Sequence, residues 1–103
     1  MELIVVDKDK TLKKLLHLIK EDQVISTVGV LQKLHEEDIH WPELDVIVRS
    51  ISKDPRWAYN YARYVTRGRF PEGEAAISSN PTWAREYKKI DLSILFLLLL
   101  IYE

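Results

Sequence analysis

Four residues of the 103-residue chain stand at the spacing 0, +4, +7 and +11: Arg56, Asn60, Arg63 and Arg67. On a helix advancing about 100° per residue they fall within about 60° of one another. Trp57 and Tyr64 flank one side of that row and Tyr59 the other, and Arg69 continues the charge. Guanidinium groups offer planar donor forks and stack on rings. The row therefore predicts a binding face for an acidic protein surface, and single-stranded nucleic acid is the alternative occupant. The plainer assignment is a solvated helix face whose arginine stems cover neighbouring rings. Arg69 is also placed to pair with Glu72 or Glu74 across a local corner.

Other chemistry-bearing residues give weaker patterns. His35 and His40 enclose three acids, but they are five residues apart and no HExxH or similar ligand signature occurs. Glu36, Glu37, Asp38, Glu43 and Asp45 make an acidic patch. General acid–base work would need a pocket that perturbs their pKa values, and sequence alone shows none. A solvated corner is the simpler expectation, with docking onto the arginine row of another copy as a second. Ser78 and Ser79 lack a nucleophile-elbow context, and Gly29, Gly68 and Gly73 form no phosphate-binding pattern. The expectation is no catalytic residue, no metal and no cofactor.

The elements that would carry these residues are punctuated by proline. Pro42, Pro55, Pro71 and Pro81 each stand where a helix would begin, the position at which the missing N–H has no intrahelical partner anyway. Asp54 and Asn80 precede two of them as N-caps. The predicted helices are 12–21, capped by Asp9 or Thr11; 23–36, capped by Asp22; then 42–52, 55–67, 71–79 and 81–90. Leu12, Leu15, Leu16 and Ile19 line one face of the first; Val24, Val28, Leu31 and Leu34 or His35 line the second. Gly68 is expected to end the 55–67 helix. Residues 2–6 read as a short strand.

Two stretches repeat. WPELDVIVRSISKDPRWA (41–58) aligns with FPEGEAAISSNPTWA (70–84) after a three-residue gap, and Trp57 and Trp83 lie 26 residues apart. That period predicts stacked helical pairs, each a short helix followed by a longer one. Alanines 58, 62 and 84 would let backbones approach, while Trp57, Tyr61 and Val65 bury large area against a neighbour. The run AYNYARYVTRGRFPEGEAAI also resembles a tandem motif of uncharacterised repeat proteins from phages and giant viruses. The resemblance covers at best residues 41–90. It implies a helical-repeat scaffold from a viral source, located in the host cytoplasm, and it carries no activity. The second unit departs from the motif: Lys88 and Asp91 stand where Ala62 and Val65 would recur.

Composition sets the outer bounds. Apolar residues make up 47% and charged residues 30%, so the chain has enough apolar material for one globular domain. The net charge of −1 gives no general attraction to nucleic acid or membrane. Charge is uneven, with ten acids and seven bases in 1–52 against six and eight in 53–103. The lack of cysteine excludes disulfides and thiolate chemistry and fits a reducing cytoplasm. The apolar run 92–102 would reach about 16 Å as a helix, about half a bilayer core. It is expected in the core, with self-association into a homo-oligomer as the alternative and a membrane anchor disfavoured. The sequence thus predicts a mostly α, repeat-like stack of short antiparallel helices acting as a non-enzymatic protein-interaction module.

Overall fold

The structure is a computed structural model, and it describes residues 7–90. The expected strand at 2–6 and the apolar run at 92–102 lie outside the described residues. Within them the chain is helical throughout, without a strand. Helix α1 is Lys8–Lys20, α2 Val24–Glu36, α3 Pro42–Ile51 and α4 Pro55–Tyr61. A π-helical turn, Ala62–Thr66, extends α4. A 3-10 turn, Pro71–Gly73, leads into the short α5, Glu74–Ser78. Helix α6 covers residues 81–90.

Local chemistry moves several boundaries away from expectation. Helix α1 starts earlier than predicted because Asp7, not Asp9 or Thr11, is its cap: the Asp7 carboxylate accepts from the Lys10 N–H at 3.1 Å. Asp22 is not the cap of α2. It occupies the left-handed position after α1, at φ 56°. There the N–H of Gln23 donates to Leu18 O at 2.9 Å and that of Asp22 to Ile19 O at 3.0 Å. These two bonds close the end of α1 in a Schellman motif. The end of α2 repeats the device, with Asp38 at φ 59° and the Ile39 N–H donating to Leu34 O at 3.0 Å.

The expected 55–67 helix is not α-helical to its end. The N–H groups of Arg67 and Gly68 both turn back to Ala62 O, which widens the last turn. Arg67, not Gly68, takes the left-handed conformation that ends the helix, at φ 55°.

Two apolar clusters hold the described chain together, and α4 belongs to both. One side of α4 and its π-helical extension gives Trp57 and Val65 to a cluster with Leu15, Val24, Val28, Leu31, Leu34, Ile47 and Ile51. The other gives Ala58, Tyr59 and Ala62 to a cluster with Phe70 and Ile77, edged by Trp83, Tyr87 and Ile90. Ala58 and Ala62 are fully buried, as small residues at a close helix crossing should be. Leu16, expected in the core, is 59% exposed, because the buried stripe of α1 narrows to Leu15 with Leu12 and Ile19 at its edges. His35 likewise faces solvent, and Leu34 fills the core position. Thr27 is fully buried among these apolar groups, its hydroxyl donating back to Gln23 O at 2.7 Å.

The sequence repeat is also a structural one at its hinge. Asp54 Oδ1 accepts from the N–H groups of Arg56 and Trp57 at 2.9 and 3.2 Å. Asn80 Oδ1 accepts from Thr82 and Trp83 at 3.0 and 3.3 Å. The backbone N–H of Asp54 donates to Ile51 O, and that of Asn80 to Ile77 O. Both isoleucines are buried.

Candidate interaction surface

The residues of the predicted binding row divide sharply once they are placed. Asn60 is buried, and its amide donates to Arg56 O at 2.8 Å one turn back. Trp57 and Tyr59 are buried at 6% and 5% exposure. The Trp57 indole N–H donates to the Asp22 carboxylate at 3.3 Å, and the Tyr59 ring packs on Trp83 with centroids 5.1 Å apart. Those two rings belong to the core and do not edge an open face. The angular reasoning placed four polar residues on one side of a helix. The α4 helix, however, is packed on two sides, so the arc left to solvent is narrower than the row.

Three of the four arginines are already answered by carboxylates. Arg56 pairs with Asp22, the residue at the left-handed corner after α1. That guanidinium, hydrogen-bonded to the Asp22 carboxylate, holds it below the usual aspartate range. Arg67 pairs with Glu36 at the end of α2 at 3.1 Å. Arg69 reaches Glu74 with two bonds, Nε at 3.2 Å and Nη2 at 2.9 Å. Sequence reasoning offered Glu72 or Glu74 for that pair, and the geometry selects Glu74. These arginines tie α4 and the turn after it to neighbouring elements.

Arg63 differs. It is exposed and has no ion-pair partner among the described residues. Its guanidinium carbon lies 5.2 Å from the centroid of the Tyr64 ring, and Nη1 donates to the Tyr59 hydroxyl at 3.4 Å. Arg63, Tyr59, Glu86, Lys89 and Ile90 line a shallow recess of about 240 Å³ between α4 and α6. Glu86, the acid in that recess, accepts from Lys89 at 2.9 Å. On α6, Arg85 and Lys88 are exposed beside Lys89 at the i, i+3, i+4 spacing of one helix face. The α6 bases were not singled out from sequence. Their 85, 88, 89 spacing was the signal.

A second cluster was also missed. The Tyr87 hydroxyl accepts from the Phe70 N–H at 2.8 Å and donates to Glu74 Oε2 at 2.6 Å. Arg69, with Tyr87 second, draws the Glu74 carboxyl below its ordinary value of 4.5. Burial, then the bond to Glu74, raises the Tyr87 phenol. The repeat could have found this residue, because Tyr87 stands 26 positions after Tyr61.

Beside Tyr61 runs a groove of about 700 Å³ under α3, lined by Asp45, Val48, Arg49, Tyr61, Thr66 and the Arg69–Glu72 turn. A smaller recess of about 220 Å³ continues from it past Trp41 and Leu44, sharing Asp45, Val48 and Tyr61. Burial, then Glu72 and Asp45, raises the Tyr61 phenol.

Among the described residues no group of three or more metal-ligating side chains converges. None of the described helices is long and apolar enough to cross a membrane. Compared with known proteins, the chain matches no family model, no curated protein and no solved structure.

Proposed function

We propose that the chain is a non-enzymatic interaction module whose α4–α6 face meets an acidic protein surface. One observation carries this reading. Arg63 is the arginine of the predicted row without an ion-pair partner among the described residues, and Lys89 of α6 lines the same recess. A guanidinium held over a ring, with one donor on the Tyr59 hydroxyl, keeps its remaining donors for a carboxylate. The fold places it on helices, which present a side chain more rigidly than a loop does.

The nucleic-acid alternative has less support on this face. Stacking of bases needs accessible rings. Trp57 and Tyr59 are buried, and Tyr64 already carries Arg63.

Fluorescence anisotropy with a labelled glutamate-rich peptide at low salt tests the proposal. The full chain should bind it, and Arg63→Glu should weaken binding about tenfold, by losing one attraction and adding a repulsion. Equal binding by the variant, or no binding by the parent, would overturn it. A labelled oligothymidylate run in parallel separates the alternative, whose affinity would fall steeply with added salt.

A further inference from the structure

The two repeat units carry a carboxylate and a phenol at matching positions, but among the described residues only the second holds a cation on them. In the second unit Glu74, Tyr87 and Arg69 form a closed cluster: two guanidinium bonds to Glu74 and one from the Tyr87 hydroxyl. The alignment that pairs Phe70-Pro71-Glu72 with Trp41-Pro42-Glu43 makes Asp45 the counterpart of Glu74. The 26-residue period makes Tyr61 the counterpart of Tyr87, and Arg69 corresponds to His40. His40 borders the smaller recess but is not in the lining of the groove. It pairs with Asp38 at 2.8 Å and is 71% exposed. Asp45 has no ion pair among the described residues, and the Tyr61 hydroxyl has no hydrogen bond there.

We infer that the groove beside Tyr61 is a docking site for an arginine side chain of a protein partner, which supplies to Asp45 and Tyr61 the guanidinium that Arg69 supplies to Glu74 and Tyr87. The shape agrees. Asp45 is one methylene shorter than Glu74, and the groove of about 700 Å³ has room for a long side chain with adjoining peptide. Charge agrees as well. Glu72 lies across the groove from α3 and also has no ion pair among the described residues. The two carboxylates both act on the Tyr61 phenol in the direction expected of negative potential at the groove floor. Two arginines share the lining. Arg69 is held by Glu74; Arg49, one turn beyond Asp45 at the end of α3, lines the same groove, has no ion pair among the described residues and limits the docked guanidinium to the Tyr61 side. The recess past Trp41, Pro42 and Leu44 would take an apolar neighbour of the docked arginine. This site is independent of the Arg63 face.

The probe is the peptide acetyl-Gly-Leu-Arg-Leu-Gly-amide, compared with the same peptide carrying citrulline, which keeps the shape and removes the charge. Amide spectra of the ¹⁵N-labelled full chain are recorded during titration. The arginine peptide should give saturable shifts centred on Asp45, Tyr61 and Glu72, and the citrulline peptide should bind at least tenfold more weakly. Asp45→Asn, an exposed change, should lower affinity several-fold while leaving the rest of the spectrum in place. His40→Arg places a guanidinium at the position of Arg69 and should compete with the peptide, also weakening it several-fold. Arg63→Glu should bind the peptide as the parent does. Equal affinity for the two peptides, shifts centred elsewhere, or full affinity in Asp45→Asn would overturn the inference. Loss of peptide binding in Arg63→Glu would assign the contact to the other face and overturn it too.

Discussion

The units 41–67 and 70–90 share a hinge but not a way of packing. At the hinge the aspartate or asparagine cap, the buried isoleucine three residues earlier and the following tryptophan match bond for bond. Away from it they part. The first unit opens with the ten-residue α3, which stands back from α4 and leaves a groove between them. The second opens with a three-residue 3-10 turn and the five-residue α5, pressed directly onto α4. One aligned position accounts for much of this. Leu44 in the first unit is Gly73 in the second. A Cβ built on Gly73 would lie 2.7 Å from Ala58 Cβ and 2.7 Å from the Phe70 ring. Glycine is required there by the closeness of its neighbours, since its φ of −98° is open to any residue. A repeated hinge fixes the path of the chain, while the size of one residue bears on whether the unit closes or leaves a cleft.

The largest effect should come from making that position bulkier. In Gly73→Ala the new methyl meets another Cβ and a buried ring, neither of which can swing away. Overpacking of this kind costs about 1–3 kcal/mol. The midpoint of urea unfolding should fall accordingly. Gly29 supplies the contrast. It sits mid-helix on α2, exposed, with nothing within 4 Å of a built Cβ. Gly29→Ala should raise stability by about 0.5–1 kcal/mol through helix propensity. Opposite signs for the two changes would support the close-approach account, and a neutral Gly73→Ala would break it.

The matched tyrosines differ in the same way, with smaller energies. Tyr87→Phe removes the acceptor of the Phe70 N–H and a donor to Glu74. The bond to the Phe70 N–H is part-buried, so losing it should cost about 0.5–1.5 kcal/mol. Tyr61→Phe removes a hydroxyl with no hydrogen bond among the described residues, and the ring would keep its packing on Phe70 at 4.7 Å. That change should cost under about 0.5 kcal/mol. Similar losses for the two variants would show that the phenols do the same job and that the first site is already closed.

How far these features could be read in the sequence follows from the same contrast. Proline starts and side-chain caps are local chemistry, so Pro42, Pro55, Pro71 and Pro81 each begin a helical element as expected. The repeat predicted the shared hinge and the burial of Ala58 and Ala62. It was silent on the consequence of Gly73, because close approach is a property of two elements and not of one. The burial of Asn60, Trp57 and Tyr59 beside the arginine row was missed for the same reason. Helical spacing tells which residues share a face, but not which carboxylates at other corners reach it. Asp22 and Glu36 were legible only as acids near the ends of α1 and α2, 34 and 31 residues before Arg56 and Arg67. The left-handed conformations at Asp22, Asp38 and Arg67 are set by how the chain leaves each helix, and none has the glycine that would have announced it.

The smallest effect concerns pH, and it distinguishes the closed site from the open one. Glu74 has its pKa lowered in the folded chain, first by Arg69 and then by Tyr87. A carboxyl with a depressed folded pKa binds fewer protons folded than unfolded in the window between the two values, so stability rises with pH there. The contribution is complete above the ordinary glutamate value of 4.5 and is lost as pH falls through the lower folded value. Glu74→Gln keeps the shape and removes the titration. Its urea midpoint, followed from neutral pH down into the acid range, should fall less steeply than that of the parent. Some slope should remain, because Asp22 beside Arg56 and Glu43 beside Lys8 are lowered in the same direction. Asp45→Asn in the first unit removes no ion pair and is the matched control. If Asp45→Asn flattened the acid limb as much as Glu74→Gln, the first unit would already hold a cation of its own. The contrast between a filled and an open guanidinium site would then collapse.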